Sequence, residues 1–345
     1  MEKHSYHLAS YHSPPKVQVS GLNEVIRYLT ELTLDAFVEA ARNVPYQQIE
    51  SDLFPGIDLW VRRDDLIDPI ISGNKAYKLL YNLIEAREQG KDTIVTCGGA
   101  WSNHIHATAA AGQRFGFKTV GIIRGEHPPA LSAMLQDAER FGMELRFVSR
   151  SEYRRRHEPG FPESIGVDMA RSWFVPEGGA NQQGAKGVML LGNVIGETCP
   201  VPFDQCWVPC GTGLTLGALA ASLPASIELV GVAVLKADKS IATAAAEWGG
   251  SKVALQPPIL ITDGHFGGYG KTSGALEDFQ NVAAQQAGLN LDHVYTAKAT
   301  YSIVRTCSHN RQKDEIGDTP RVLLLHTGGL QGARGLASSK GLGLV

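Results

Sequence analysis

Apolar residues recur along this chain in two alternating rhythms. Thr93-Ile94-Val95-Thr96-Cys97 and Thr119-Val120-Gly121-Ile122-Ile123 are short runs without a charged residue, which predict buried strands, and Leu145 to Val148 predicts a third. Between them the period is helical. Ser102 to Phe115 is rich in alanine, and Pro129 to Phe141 sets Leu131, Met134, Leu135 and Ala138 on one side, with proline in its first turn. A second series follows Trp173: helices at Gln183 to Ile195, Leu214 to Ser222 and Lys239 to Trp248, strands at Gln205 to Pro209, Glu228 to Val234 and Val322 to His326. Parallel strands need long crossovers and helices supply them, so this spacing predicts βαβ units. The expected fold class is α/β, with parallel-rich twisted sheets flanked by helices, in two domains with a cleft between them.

The beginning of the chain has a different character. Residues 1 to about 20 are polar and read as a loose tail, and Leu22 to Ala41 carries Val25, Leu29, Leu32 and Phe37 at helical spacing before a break at Asn43-Val44-Pro45. This predicts an appended helix. A short strand, Leu59-Trp60-Val61, then leads through Arg62-Arg63-Asp64-Asp65 into Ile71-Ser72-Gly73-Asn74-Lys75-Ala76-Tyr77-Lys78-Leu79-Leu80, where a glycine-led turn runs into an apolar helix.

Composition narrows the class of function. A formal net charge of −3 gives no general attraction to nucleic acid or anionic membrane, and the short Arg154-Arg155-Arg156 cluster reads as solvated surface. The polar N-terminus holds no apolar signal segment, and no run of about 18 apolar residues occurs. The cysteines at 97, 199, 206, 210 and 307 are odd in number and irregularly spaced, which predicts reduced thiols and a cytoplasmic protein. No metal site is expected, because Cys206 and Cys210 lack a partnering Cys or His pair and Cys206 falls in an apolar strand.

Three segments carry candidate chemistry. Lys75 and Lys78 share one face of a helix; they could be solvated surface, or a reactive amine and a fixed positive charge. Cys210-Gly211-Thr212-Gly213-Leu214-Thr215 follows a strand and opens a helix, so its N–H groups and the Thr212 and Thr215 hydroxyls could cradle a phosphate. A glycine-rich packing turn is the other reading. The loop is not a Walker A motif, and its Gly-x-Gly is not completed as the dinucleotide fingerprint. Cys97-Gly98-Gly99-Ala100-Trp101-Ser102-Asn103-His104 is a second strand-to-helix junction, in which Ser102 and Asn103 could be ordinary caps.

Taken together with His326-Thr327-Gly328-Gly329-Leu330-Gln331-Gly332, these segments resemble the pyridoxal-phosphate enzymes of the 1-aminocyclopropane-1-carboxylate deaminase and D-cysteine desulfhydrase family, of the tryptophan-synthase β fold type (fold type II). The resemblance runs over about residues 45 to 335. It implies pyridoxal 5′-phosphate as cofactor and a small amino acid as substrate. It also implies a homodimer, a large cofactor-binding domain of residues 42–78 plus 186–345, and a small domain of 79–185, with 1–41 outside the family pattern. The family's Schiff-base lysine falls on Lys75 and its phosphate-side basic residue on Lys78; the phosphate loop falls on Cys210, Gly211, Thr212, Gly213 and Thr215. The Ser-Asn pair falls on Ser102, toward the substrate carboxylate, and Asn103, toward the cofactor's 3′-oxygen, with His104 standing where the deaminases have glutamine. Catalytic tyrosines fall on Tyr269 and Tyr295. The ring-opening deaminases carry a glutamate after the second tyrosine, facing the pyridine nitrogen. Here that position is Thr296, with a second hydroxyl at Thr327, which implies a weaker electron sink and β-elimination from D-cysteine over ring opening. A phospho-ligand or nucleotide-binding α/β protein without this chemistry is the expectation from another class.

Overall fold

A computed structural model describes residues 29–310 and 319–334. Its strands are β1 (Tyr46–Ile49), β2 (Asp58–Arg62), β3 (Thr93–Gly98), β4 (Lys118–Arg124), β5 (Met143–Val148), β6 (Ser172–Val175), β7 (Gln205–Cys210), β8 (Glu228–Ala233), β9 (Ile259–Ile261) and β10 (Arg321–Leu325). Its helices are α1 (Leu34–Arg42), α2 (Asn74–Glu88), α3 (Asn103–Phe115), α4 (Ala133–Arg140), α5 (Arg150–Arg154), α6 (Phe161–Ser164), α7 (Gln182–Thr198), α8 (Leu214–Ser222), α9 (Asp238–Leu255), α10 (Gly274–Ala287) and α11 (Thr296–Asn310). The strands form two sheets, ordered β1-β2-β10-β7-β8-β9 and β5-β4-β3-β6. Among the described residues only β1–β2 pairs antiparallel; the other pairs are parallel, as helical crossovers require.

β10 shows why the apolar runs are unbroken. It lies between β2 and β7, with Leu323 opposite both Trp60 and Cys206. Leu323 and Leu325 join Cys206, Val208 and residues of α2, α7 and α8 in one core, while Val322 and Leu324 join Trp207, Leu59 and Val61 under α10 and α11. Both faces are covered, so neither can be polar. The first core continues through Ala107, Ala110 and Ala111 of α3 and Ile94 of β3, and so spans both sheets. No helix among the described residues is long and apolar enough to cross a membrane.

Several expected elements are displaced. Of the expected Leu22 to Ala41 helix, the part before residue 29, like the N-terminal tail, lies outside the described residues. The described helix starts only at Leu34, because Thr33 caps it by accepting from the Ala36 N–H. It is no loose appendage: Phe37 packs edge-on against Tyr77 at 5.2 Å, and Arg42 pairs with Glu197 of α7. α4 starts at Ala133 behind a Ser132 cap, leaving Pro128 and Pro129 outside it. Nor is Arg156 simply surface charge, since it donates to Glu177 at 2.7 Å.

Candidate active site

The opening of α2 is shaped by a contact that only glycine permits. Gly73 has φ +69° and ψ −154°, and a Cβ there would stand 1.9 Å from the Thr327 carbonyl oxygen. The Thr327-Gly328 turn therefore rests directly on the helix start. Behind it lies a buried polar scaffold that the sequence pattern did not single out. Asp64 Oδ1 accepts from Tyr77 Oη at 2.8 Å and from Arg62 Nε at 3.2 Å, and Arg62 also donates to the Ala41 carbonyl and the Tyr46 hydroxyl. Asp65 takes a two-point contact from Arg63 and faces His326 Nδ1 at 3.3 Å. Asp68 accepts from the Ile70 and Ile71 N–H groups and pairs with Arg114 of α3. The Arg-Arg-Asp-Asp run thus fixes the turn that presents the two lysines.

Those lysines occupy different surroundings. Lys75 Nζ donates to Asn74 Oδ1 at 2.9 Å and stands 5.9 Å from the Tyr295 ring centre. Burial pulls its amine down to about 8, against the opposing pull of Asp292. Lys78, one turn on, is buried and donates to the Gly178 carbonyl at 3.1 Å; burial, then the charge of Lys75, holds it well below the usual lysine range. Among the described residues its Nζ meets a carbonyl and no carboxylate, so an anion bound there would favour the protonated amine and complete the site.

The glycine loop supplies the other half of such a site. Gly213 precedes α8 at φ +83°, no side chain caps that helix, and its first-turn N–H groups have no intrahelical acceptor. The loop lies near Lys78 through Gly178, where a Cβ would meet Thr212 Cγ2 at 3.3 Å. Asn74 Nδ2 donates to Thr215 Oγ1 at 3.3 Å, tying α2 to α8. A Cβ on Gly211 would stand 3.6 Å from Tyr295 Cε1. The Cys210 thiol turns the other way: it donates to the Val208 carbonyl within the core, and burial pushes it up to about 12. Its contribution to the loop is its backbone.

On α3, Ser102 is the N-cap and accepts from the Ile105 N–H at 3.3 Å. The Asn103 amide nitrogen lies against Gly329, beside Asp292. His104 is buried next to Gly179 and Lys78, and neither ring nitrogen has a hydrogen-bond partner. Burial, then Lys75 and Lys78, holds it well below the ordinary histidine range, so the ring is neutral. An imidazole buried beside Lys78 with neither nitrogen bonded among the described residues points to a polar or anionic group that these residues would hold.

Tyr269 and Tyr295 meet edge to face at 6.2 Å. Burial, then Tyr269, pushes the Tyr295 phenol well above its usual value; burial also raises Tyr269. Beneath them is Asp292, another group the sequence reading missed. It accepts from the N–H groups of Val294, Tyr295 and Thr296 at 2.7–3.0 Å and from the Thr296 hydroxyl at 2.7 Å. An aspartate just before a helix start is a capping signal, and that could have flagged it. The Thr296 hydroxyl is spent on this cap, also accepting from the Asp292 N–H. Of the two hydroxyls proposed for a ring nitrogen, Thr327 is the one without a side-chain hydrogen bond among the described residues.

The residues present fit a phosphate ester with a reactive carbonyl, through the uncapped helix start, the Lys78 amine bonded to the Gly178 carbonyl, and the softened Lys75 amine. A family model described as pyridoxal-phosphate dependent enzyme matches residues 40–328. The chain belongs to that family. Among this family's members, it is 31% identical over 290 residues to a Pyrococcus horikoshii protein carried provisionally under the name 1-aminocyclopropane-1-carboxylate deaminase, covering 80% of this chain and 86% of the relative. It is 27% identical to the D-cysteine desulfhydrase of Salmonella typhimurium, covering 88% and 96%. The crystal structure of an ACC deaminase homologue superposes with a TM-score of 0.73 at 28% identity, covering 86% of this chain and 93% of that one. Pyridoxal phosphate is therefore this enzyme's cofactor, and the reading of a phospho-ligand protein without such chemistry falls away.

Proposed function

We propose that this pyridoxal-phosphate enzyme is a D-cysteine desulfhydrase-like lyase, converting D-cysteine and water to pyruvate, ammonia and sulfide. When bound, the cofactor supplies the electron sink that acidifies the substrate α-carbon. In this reading residues 42–78 and 186–345 carry it, with its phosphate between Lys78 and the Gly211–Thr215 loop, and residues 79–185 bring the Ser102-Asn103-His104 corner to the substrate. Lys75 would hold the cofactor's carbonyl carbon and carry the substrate's α-proton, for which an amine lowered to about 8 is suited. Tyr269 and Tyr295, phenols kept protonated, orient the substrate and stand ready to donate toward the leaving sulfur.

The observation that carries the choice of substrate is the setting of Asp292 and Thr296. The position after Tyr295 is a threonine engaged in a helix cap, and the Asp292 carboxylate that caps with it already accepts from four donors. That leaves a neutral hydroxyl, Thr327, for the ring nitrogen and a weaker sink, which suffices when the substrate has a good leaving group. The relatives carry both activities in their names, so ring opening of 1-aminocyclopropane-1-carboxylate is the rival. Steady-state release of sulfide and pyruvate from D-cysteine, beside 2-oxobutanoate from the cyclopropane amino acid, decides between them. Comparable kcat/KM on the two substrates, or no turnover of D-cysteine, β-chloro-D-alanine and D-serine, overturns the proposal.

A further inference from the structure

Lys298 is fully buried in the first turn of α11, and its ammonium points at three backbone oxygens: Gly268 at 2.8 Å, His265 at 2.9 Å and Val234 at 3.1 Å. Three acceptors around one nitrogen match the three N–H bonds of an ammonium; a neutral amine has only two and would set its lone pair against the third oxygen. Val234 follows the end of β8, whereas His265 and Gly268 belong to the loop that ends in Tyr269.

That loop is only partly held by packing: the Phe266 ring rests against Tyr301 at 5.4 Å, while the glycines after it have no side chains to pack. Phe266, at φ +47°, is the one non-glycine residue with positive φ among the described residues, and Gly267, Gly268 and Gly270 follow at +97°, +131° and +63°. Its internal bonds are few: the Gly267 N–H to His265 Nδ1 at 3.0 Å, the Gly268 N–H to the His265 carbonyl at 3.0 Å and the Lys271 N–H to the Gly268 carbonyl at 3.1 Å. The unusual backbone turns two carbonyls inward onto one cation. Tyr269 is the next residue along; it is 46% exposed and its ring rests edge-on against Tyr295, so its placement depends on how the loop and α11 are held relative to each other.

We propose that Lys298 is a positioning residue, a tethered cation in a cage of carbonyls that fixes Tyr269 against Tyr295. The link is short on both sides. Tyr295 immediately precedes α11, Lys298 sits in that helix's first turn, and Gly268 immediately precedes Tyr269. One side chain thus couples the helix that bears one phenol to the loop that bears the other. For its effect on turnover this rests on the active-site role given above to Tyr269; for the tether it does not.

The test uses the cofactor-loaded enzyme and its Lys298→Met, Lys298→Ala and Lys298→Arg variants. Hydrogen exchange of the peptide spanning residues 262–272 should accelerate at least ten-fold in Lys298→Met, while peptides of β7 and β10 keep their protection. kcat on the preferred substrate should fall at least ten-fold with KM changed less than three-fold. Propylammonium has the length of the deleted side chain and should restore slow loop exchange in Lys298→Ala but not in Lys298→Met. Loop exchange within two-fold of wild type, or an increase spread evenly over the molecule, overturns the tether. So does failure of propylammonium to slow the loop in Lys298→Ala. If Lys298→Met does not fold, Lys298→Arg decides: no guanidinium nitrogen carries more than two N–H bonds, so the three oxygens cannot gather on one nitrogen as they do around the ammonium, the 262–272 peptide must exchange faster, and wild-type protection there refutes the proposal. Tyr269→Phe separates the two ideas. Wild-type kcat in that variant removes the role of Tyr269, while the exchange data judge Lys298 independently.

Discussion

The nucleophile itself should be a burden on the empty fold. In the cofactor-free protein Lys75 is held near 8 by burial, against an ordinary value of 10.5, a difference of about 3.4 kcal/mol against the charged form. Lys75 keeps some contact with solvent and a hydrogen bond to Asn74, so about 2 kcal/mol is the realistic net burden. Lys75→Met should therefore abolish turnover yet stabilise the apoenzyme by about 2 kcal/mol at pH 7. The sign follows from where the proton sits. Below pH 8 the native state carries a charge it resists, so the advantage of methionine is complete; between 8 and 10.5 the wild-type lysine becomes neutral and the advantage fades. Urea midpoints of both apoproteins at pH 7 and pH 10 measure this directly. A Lys75→Met apoprotein less stable than wild type at pH 7, or a difference that does not change with pH, refutes the reasoning.

Three further outcomes are expected. Lys78→Met should weaken pyridoxal phosphate binding by about 10- to 100-fold, the worth of one charge-assisted hydrogen bond, as read by equilibrium dialysis; a change under three-fold would contradict the anion site. Gly73→Ala places a methyl group on the Thr327 carbonyl in a backbone region reserved for glycine, and should lower stability by at least about 3 kcal/mol in urea unfolding. His104→Gln should alter the height of the kcat–pH profile but not the position of any limb in the ordinary histidine range, because burial and the two lysines hold the wild-type ring well below that range; a displaced limb there would show that His104 titrates.

Legibility in the sequence followed burial. β3, β4, β7, β8 and β10 are covered on both faces, and their unbroken apolar runs announced them. α11 stayed hidden because Thr296, Lys298, Thr300 and Ser302 are buried polar residues, with Thr300 and Ser302 bonded back to carbonyls one turn earlier. A helix with a polar buried side has no apolar period to read. The same gap concealed Asp292 and Lys298, whose partners are largely backbone atoms, and spacing in sequence carries no record of where a carbonyl points. Lys75, Lys78 and His104 were visible as motif members, but their separate surroundings needed the fold: Gly178 and Gly179, which border Lys78, enter from beyond β6. The charges of Arg62 and Asp64 were visible too, though nothing local indicated that they are buried together.

The placement of β10 has a consequence for how the enzyme comes into being. This strand is drawn from near the end of the chain, yet it fills the gap between β2 and β7, and the turn that follows it rests on Gly73 at the foot of the lysine helix. Until Leu325 and Thr327 have left the ribosome, β2 has no partner on that side and α2 has no floor, however much of the chain has already folded. A chain cut before this strand should therefore lack the packed turn under the start of α2.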